Sequence, residues 1–84
     1  MPKLNPNIEL QPLDDKLILL DLEQNAYYSL NGTARFFVEK IAKNLEFEQI
    51  IDEALQEYEI DKDCLTQDFT KLRDELIQLR IITP

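Results

Sequence analysis

The chain has 84 residues, 44% hydrophobic and 31% charged, with one glycine and no histidine or tryptophan; this excludes a second core and argues against a disordered or repetitive chain. Seventeen acidic against nine basic side chains leave a net charge of −8, a field that repels phosphate backbones and anionic headgroups and argues against nucleic acid or membrane as partner. A lone Cys64 cannot close an internal disulfide, no apolar run approaches the roughly 18 residues of a membrane span, and residues 1–7 lack the apolar core of a signal peptide, so a cytoplasmic domain held by its core alone is expected.

Residues 1–7 contain Pro2 and Pro6 among Asn and Lys and read as a loose arm. Residues 8–10 suit a short strand. After Pro12 and the turn-forming pair Asp14-Asp15, residues 16–22 are rich in Leu and Ile but too short for a helix, which makes them a second strand. Glu23, Gln24 and Asn25 form a polar connection in which Asn tolerates the positive φ of a tight hairpin. Ala26, Tyr27, Tyr28, Ser29 and Leu30 follow as a third strand, favoured by two aromatics. Asn31 is placed to cap a helix through its side-chain oxygen. In that helix Ala34, Phe37, Val38, Ile41, Ala42 and Leu45 fall on one stripe. Phe36 lies off the stripe, either partly exposed or packed on the sheet.

Phe47, Ile50, Ile51, Ala54, Leu55 and Tyr58 repeat the spacing in a second helix that opens near Glu46, with Asp52, Glu53 and Glu57 on its outer side. A third helix is expected from Asp61, a good cap residue, through Leu65, Phe69, Leu72, Leu76 and Leu79, stopping near Arg80. Cys64 reads as a small half-buried thiol within it. Residues 81–84 are β-branched and end in Pro, so the tail extends along the body. The order describes one domain over residues 1–84, an α+β fold of the winged-helix type: a small antiparallel sheet of three strands followed by three helices.

Catalysis finds no support. Without His, and with a single Cys and Gly, the chain lacks the usual means of acid-base work near neutral pH, metal capture and phosphate cradling. The adjacent acids Asp14-Asp15, Asp52-Glu53 and Asp74-Glu75 point in different directions and cannot converge on one substrate. The chain is expected to be no enzyme and to hold neither cofactor nor metal.

Binding is better supported. A sheet that ends in the third strand leaves that edge as a template for an extended peptide, paired through the main chain and selected by side-chain pockets. Tyr27 and Tyr28 point to opposite faces, and the sequence does not decide which meets the core. On the third helix Arg73, Ile77 and Arg80 share a flank, a clamp suited to an acidic and apolar peptide.

The segment Tyr28-x-Leu30-Asn31-x-Thr33-Ala34, followed by the helix of Phe37, Val38 and Ile41 and by a long helix ending in Ile81-Ile82, resembles the PqqD-like family over roughly residues 8–83. The resemblance implies a RiPP recognition element, a non-catalytic winged-helix domain that binds the leader of a ribosomally made precursor. In such domains the leader is implied to add beside the third strand, which assigns Ala26 to Leu30 to backbone pairing. Leu72, Arg73, Leu76, Ile77 and Arg80 would supply side-chain contacts. Gly32 departs from the family's pattern, where a larger or acidic residue is common. A free-standing domain of this length looks like those that serve radical SAM enzymes in quinone cofactor synthesis, and like those that deliver lasso-peptide precursors to a leader peptidase. Two alternatives remain at this stage. One is a winged-helix DNA-binding regulator, which the acidic charge opposes: from Asp61 onward the third helix has five acids against four cations. The other is a homodimer that pairs through the free edge.

Overall fold

Along Lys16–Asp21 the side chains alternate: Leu17, Leu19 and Asp21 are buried and Ile18 and Leu20 only half-buried, the period of two of a strand with one face on a core. The computed structural model of the chain describes residues 2–84 and places eight elements in order. They are β1 (Lys3–Leu4), β2 (Ile8–Leu13), β3 (Lys16–Asp21), β4 (Ala26–Leu30), α1 (Gly32–Ala42), α2 (Phe47–Glu57), α3 (Lys62–Gln78) and β5 (Ile82–Thr83). Strands β2, β3 and β4 form an antiparallel sheet in that order. Its two turns each use a residue in the left-handed region, Asp14 at φ 57° and Asn25 at φ 58°, as short polar side chains permit. Strand β2 runs three residues beyond the expected 8–10 and takes in Pro12; the strand lies at the sheet edge, where a missing N–H breaks no second ladder.

The expected loose arm is instead tied down. Leu4 pairs with Ile82 and Lys3 with Thr83, Pro2 is buried, and the Asn5 N–H donates to the Ile81 carbonyl at 3.0 Å. The Asn5 side chain also donates to the carbonyl of Arg80. The reason lies at the far end of the chain: Ile81 and Ile82 are buried against the core, and the extended tail this requires offers residues 3–4 a strand to pair with. Met1 lies outside the described residues.

Each helix turns its apolar stripe inward, and Phe37 stands at the centre with its ring 4.8 Å from Phe69 and 6.0 Å from Phe47. Phe36 is also buried, set edge-on to Tyr58 with centroids 5.6 Å apart. That settles its place on the α2 side rather than on the sheet. Ala42, by contrast, is exposed at the helix end. Lys40 spans the same helix pair, donating to Glu53 at 2.9 Å above the Phe36 ring. The hydrogen bond to Glu53 holds the Lys40 pKa above the ordinary lysine value. Its contribution to stability is therefore complete below that ordinary value and fades as the pH rises through the raised one.

The helix starts are built differently from one another. Glu46 and Gln49 form a reciprocal capping box on α2, and Asp61 accepts from the Cys64 N–H at 3.2 Å on α3. Cys64 is exposed rather than half-buried, because a rotation of about 100° per residue carries it off the stripe of buried Leu65 and Phe69. At α1, Asn31 is the cap residue but its side chain makes no capping bond, contrary to expectation. Gly32 sits at φ 55°, so the N–H groups of the first turn are not arrayed around Asn31 as at a regular helix start. A Cβ at residue 32 would meet nothing within 4 Å, so Gly32→Ala should be destabilising through backbone strain alone, by about 1 kcal/mol. A urea denaturation midpoint equal to that of the unaltered chain would show that this turn carries no strain.

Candidate functional site

Strand β4 pairs with β3 alone, in the register Leu17 with Leu30, Leu19 with Tyr28 and Asp21 with Ala26. Its other edge is open, with the backbone groups of alternate residues directed away from the sheet. The outer edge of β2 is open too, but it contains Pro12 and Glu9, which hinder pairing with a further strand. The five residues of β4 include neither proline nor charge. Of the two edges, β4 is the better template.

Alternation assigns the two tyrosines. Ala26, Tyr28 and Leu30 share the face of the buried Leu17 and Leu19, and are half-buried at its margin; Tyr28 and Leu30 pack on the core. Tyr27 and Ser29 look outward, and Tyr27 is 73% exposed. A strand added at this edge would meet Tyr28 and Leu30 on the helix side and Tyr27 on the other.

The start of β4 is held by a residue that the sequence did not single out. Asp21 is buried, and its Oδ1 accepts from the Asn7 side chain at 2.9 Å and from the backbone N–H groups of Glu23 and Gln24 at 3.1 and 3.0 Å. The carboxylate thus joins the N-terminal segment to the β3–β4 turn beside Ala26. The signal in the sequence was an Asp closing an apolar strand before a polar turn, where its side chain can accept N–H groups two and three residues on. A second fastening is Arg35, whose guanidinium donates to the carbonyls of Asp14 and Lys16 at 3.0 and 2.9 Å and locks the β2–β3 turn onto α1.

On α3 the structure separates the five residues expected to face a ligand. Leu76 is buried, so it supports the helix from beneath. Arg73 lies with its guanidinium 5.0 Å from the Phe47 ring centroid and 3.5 Å from the Asp74 carboxylate. This turns it toward α2. Ile77, on the same flank, packs on the core, and exposed Arg80 follows the helix at φ 61°. At 100° per residue, Leu72 and Leu79 project from the opposite side of the buried Phe69–Leu76 stripe. On that flank Leu72 is half-buried and packs on the core as Ile77 does, Asp68 and Glu75 are exposed and Leu79 is 41% exposed. The arginine pair therefore does not bracket Ile77 as a free clamp, because one member stacks on a neighbouring helix.

A family model described as coenzyme PQQ synthesis protein D (PqqD) matches residues 16–82. The chain belongs to the PqqD family. The match takes in β3, β4 and all three helices, so the open edge and the α3 flank both fall within the family's part of the chain. Two solved structures share the fold of this PqqD chain. TbiB1 in complex with the TbiA(beta) leader peptide superposes with a TM-score of 0.91 at 20% identity, covering 95% of this chain and 93% of that one. A lasso peptide synthetase B1 complexed with the leader peptide gives 0.89 at 24% identity, covering 99% and 98%. No curated protein sequence gives a match.

Proposed function

We propose that this PqqD-family chain captures the leader segment of a ribosomally made precursor peptide, which adds as a strand to the open edge of β4. The observation that carries the reading is an uncharged, proline-free edge whose half-buried Tyr28 and Leu30 leave apolar surface for an incoming strand to cover. Both solved structures of the same fold are complexes with leader peptides, which supports the choice of ligand. Ala26 to Leu30 pair with the ligand backbone. Since α2 takes the Arg73 flank of α3, the second wall comes from Leu72 and Leu79, with Leu76 behind them and Arg73, Ile77 and Arg80 at the periphery. Asp68 and Glu75 on the Leu72 flank suit a leader with a cation beside its apolar residues, rather than the acidic ligand that a free arginine clamp would select.

The captured leader passes to an enzyme encoded with the domain, a leader peptidase in a lasso-peptide pathway or a radical SAM enzyme in quinone cofactor synthesis. A DNA-reading role is disfavoured, since the outward side of α3 mixes Lys71 with Asp74 and Glu75 instead of presenting a basic face. Titration with the leader of a neighbouring precursor should give saturable binding, with amide shifts centred on Ala26 to Leu30. If no neighbouring leader binds, the reading fails.

A further inference from the structure

We propose that the outer face of the β2–β3–β4 sheet is the docking surface for the enzyme that acts on the peptide held at β4; this rests on the leader-capture reading above. The helices lie against the other side of the sheet, where Leu17 and Leu19 are buried. The outer side presents three rows: Glu9, Leu20 and Tyr27; Gln11, Ile18 and Ser29; Leu13 and Lys16. Leu13 is 58% exposed, and Leu22, in the turn at the Tyr27 end, is 60% exposed. Ile18 and Leu20 are half-buried between them. A band of apolar side chains thus crosses the sheet from one turn to the other, and among the described residues nothing covers its ends.

Large exposed apolar side chains gathered on one face mark an interaction surface more than scattered ones do. The charges around the band say what kind of partner fits. Glu9 lies on the face, Asp14 and Asp15 lie at one turn and Glu23 at the other, against Lys16 as the cation beside the first turn. A second copy of this chain would bring the same acids against these and be repelled. A protein whose apolar patch is ringed by Lys and Arg gains at the centre and at the rim. The place of the band says which protein: Tyr27 and Ser29 belong to β4, so whatever sits on the outer face lies directly beside a peptide on that edge. An enzyme acting on that peptide would meet the band as it reached the bound strand.

Two variants outside the peptide edge test the assignment, each measured against both the leader and the enzyme encoded beside the domain. Leu13→Lys is tolerated by the fold, since the residue is exposed at the end of β2, and Leu20→Thr places a β-branched residue, which strands favour, mid-strand. Both should weaken binding of the enzyme about tenfold or more and leave leader affinity within about twofold of the original. Enzyme association should also slow as salt rises. An enzyme with equal affinity for all three chains, or with none for any while the leader still binds, overturns the docking face alone. So does a dimer of the unaltered chain that Leu13→Lys dissociates. A leader that fails to bind the unaltered chain overturns instead the capture reading beneath it.

Discussion

Replacing Phe37 with Ala is expected to destabilise the domain by about 3–5 kcal/mol, through lost burial and the cavity left between helices. Phe37 has no exposed surface, and its ring meets Phe47 at the start of α2 and Phe69 in α3. One side chain on α1 therefore joins all three helices. A domain of this length has a total stability on the order of 4–12 kcal/mol, so the variant should lose from about a quarter of it to all of it. Chemical denaturation followed by circular dichroism measures this. A loss below about 1 kcal/mol would mean that the helices close around the gap and that Phe37 is not the centre of the core.

The second large effect concerns the ligand. Tyr28→Ala should weaken leader binding by about 10- to 100-fold, the scale of truncating an aromatic anchor at an interface. Tyr28 contributes the half-buried apolar surface on the helix side of β4, at the margin of the core. Tyr28→Phe, which keeps the ring and loses the hydroxyl, should stay within about threefold. Tyr27→Ala should do the same, because its side chain points to the opposite face of the strand. Isothermal titration of all three variants with one leader separates the cases. Equal losses for Tyr27→Ala and Tyr28→Ala would mean that the strand is needed only as an intact edge and that no side-chain pocket lies on the helix side.

The succession of elements was legible in the residues because it follows from local rules. The alternation in β3, the positive φ at Asn25, the capping of α3 by Asp61 and the stripe of Phe37, Val38 and Ile41 each depend on neighbours a few positions away. The open edge of β4 was legible for the same reason, as the last strand before a helix. Phe36 was not, because its partner Tyr58 lies 22 positions along the chain, at the C-terminal cap of α2. Nor was the fastening of the N-terminal segment to the tail, a pairing between residues 3–4 and 82–83 that periodicity within either segment cannot register.

Asp21 makes the same point about the site. In the sequence it lay unremarked within the strand expected over residues 16–22; burial and three accepted hydrogen bonds make it the residue that ties the β3–β4 turn to the N-terminal segment. The arginine flank of α3 is the opposite case, in which helical spacing correctly grouped Arg73 and Ile77 but could not say which neighbour that group would face. Phe47 of α2 decided it.

By itself, then, the sequence determined an acidic domain of three strands and three helices, poor in catalytic groups, and marked the uncharged strand at residues 26–30 as the candidate place to bind. Only the tertiary structure decided that Tyr28 faces the helices and Tyr27 the solvent, that Leu72 packs on the core while Leu79 stays exposed, and that an apolar band runs across the outer sheet. The reason is physical: alternation along a strand and rotation around a helix define faces relative to one another. Which face is buried is set by packing against elements distant in the chain.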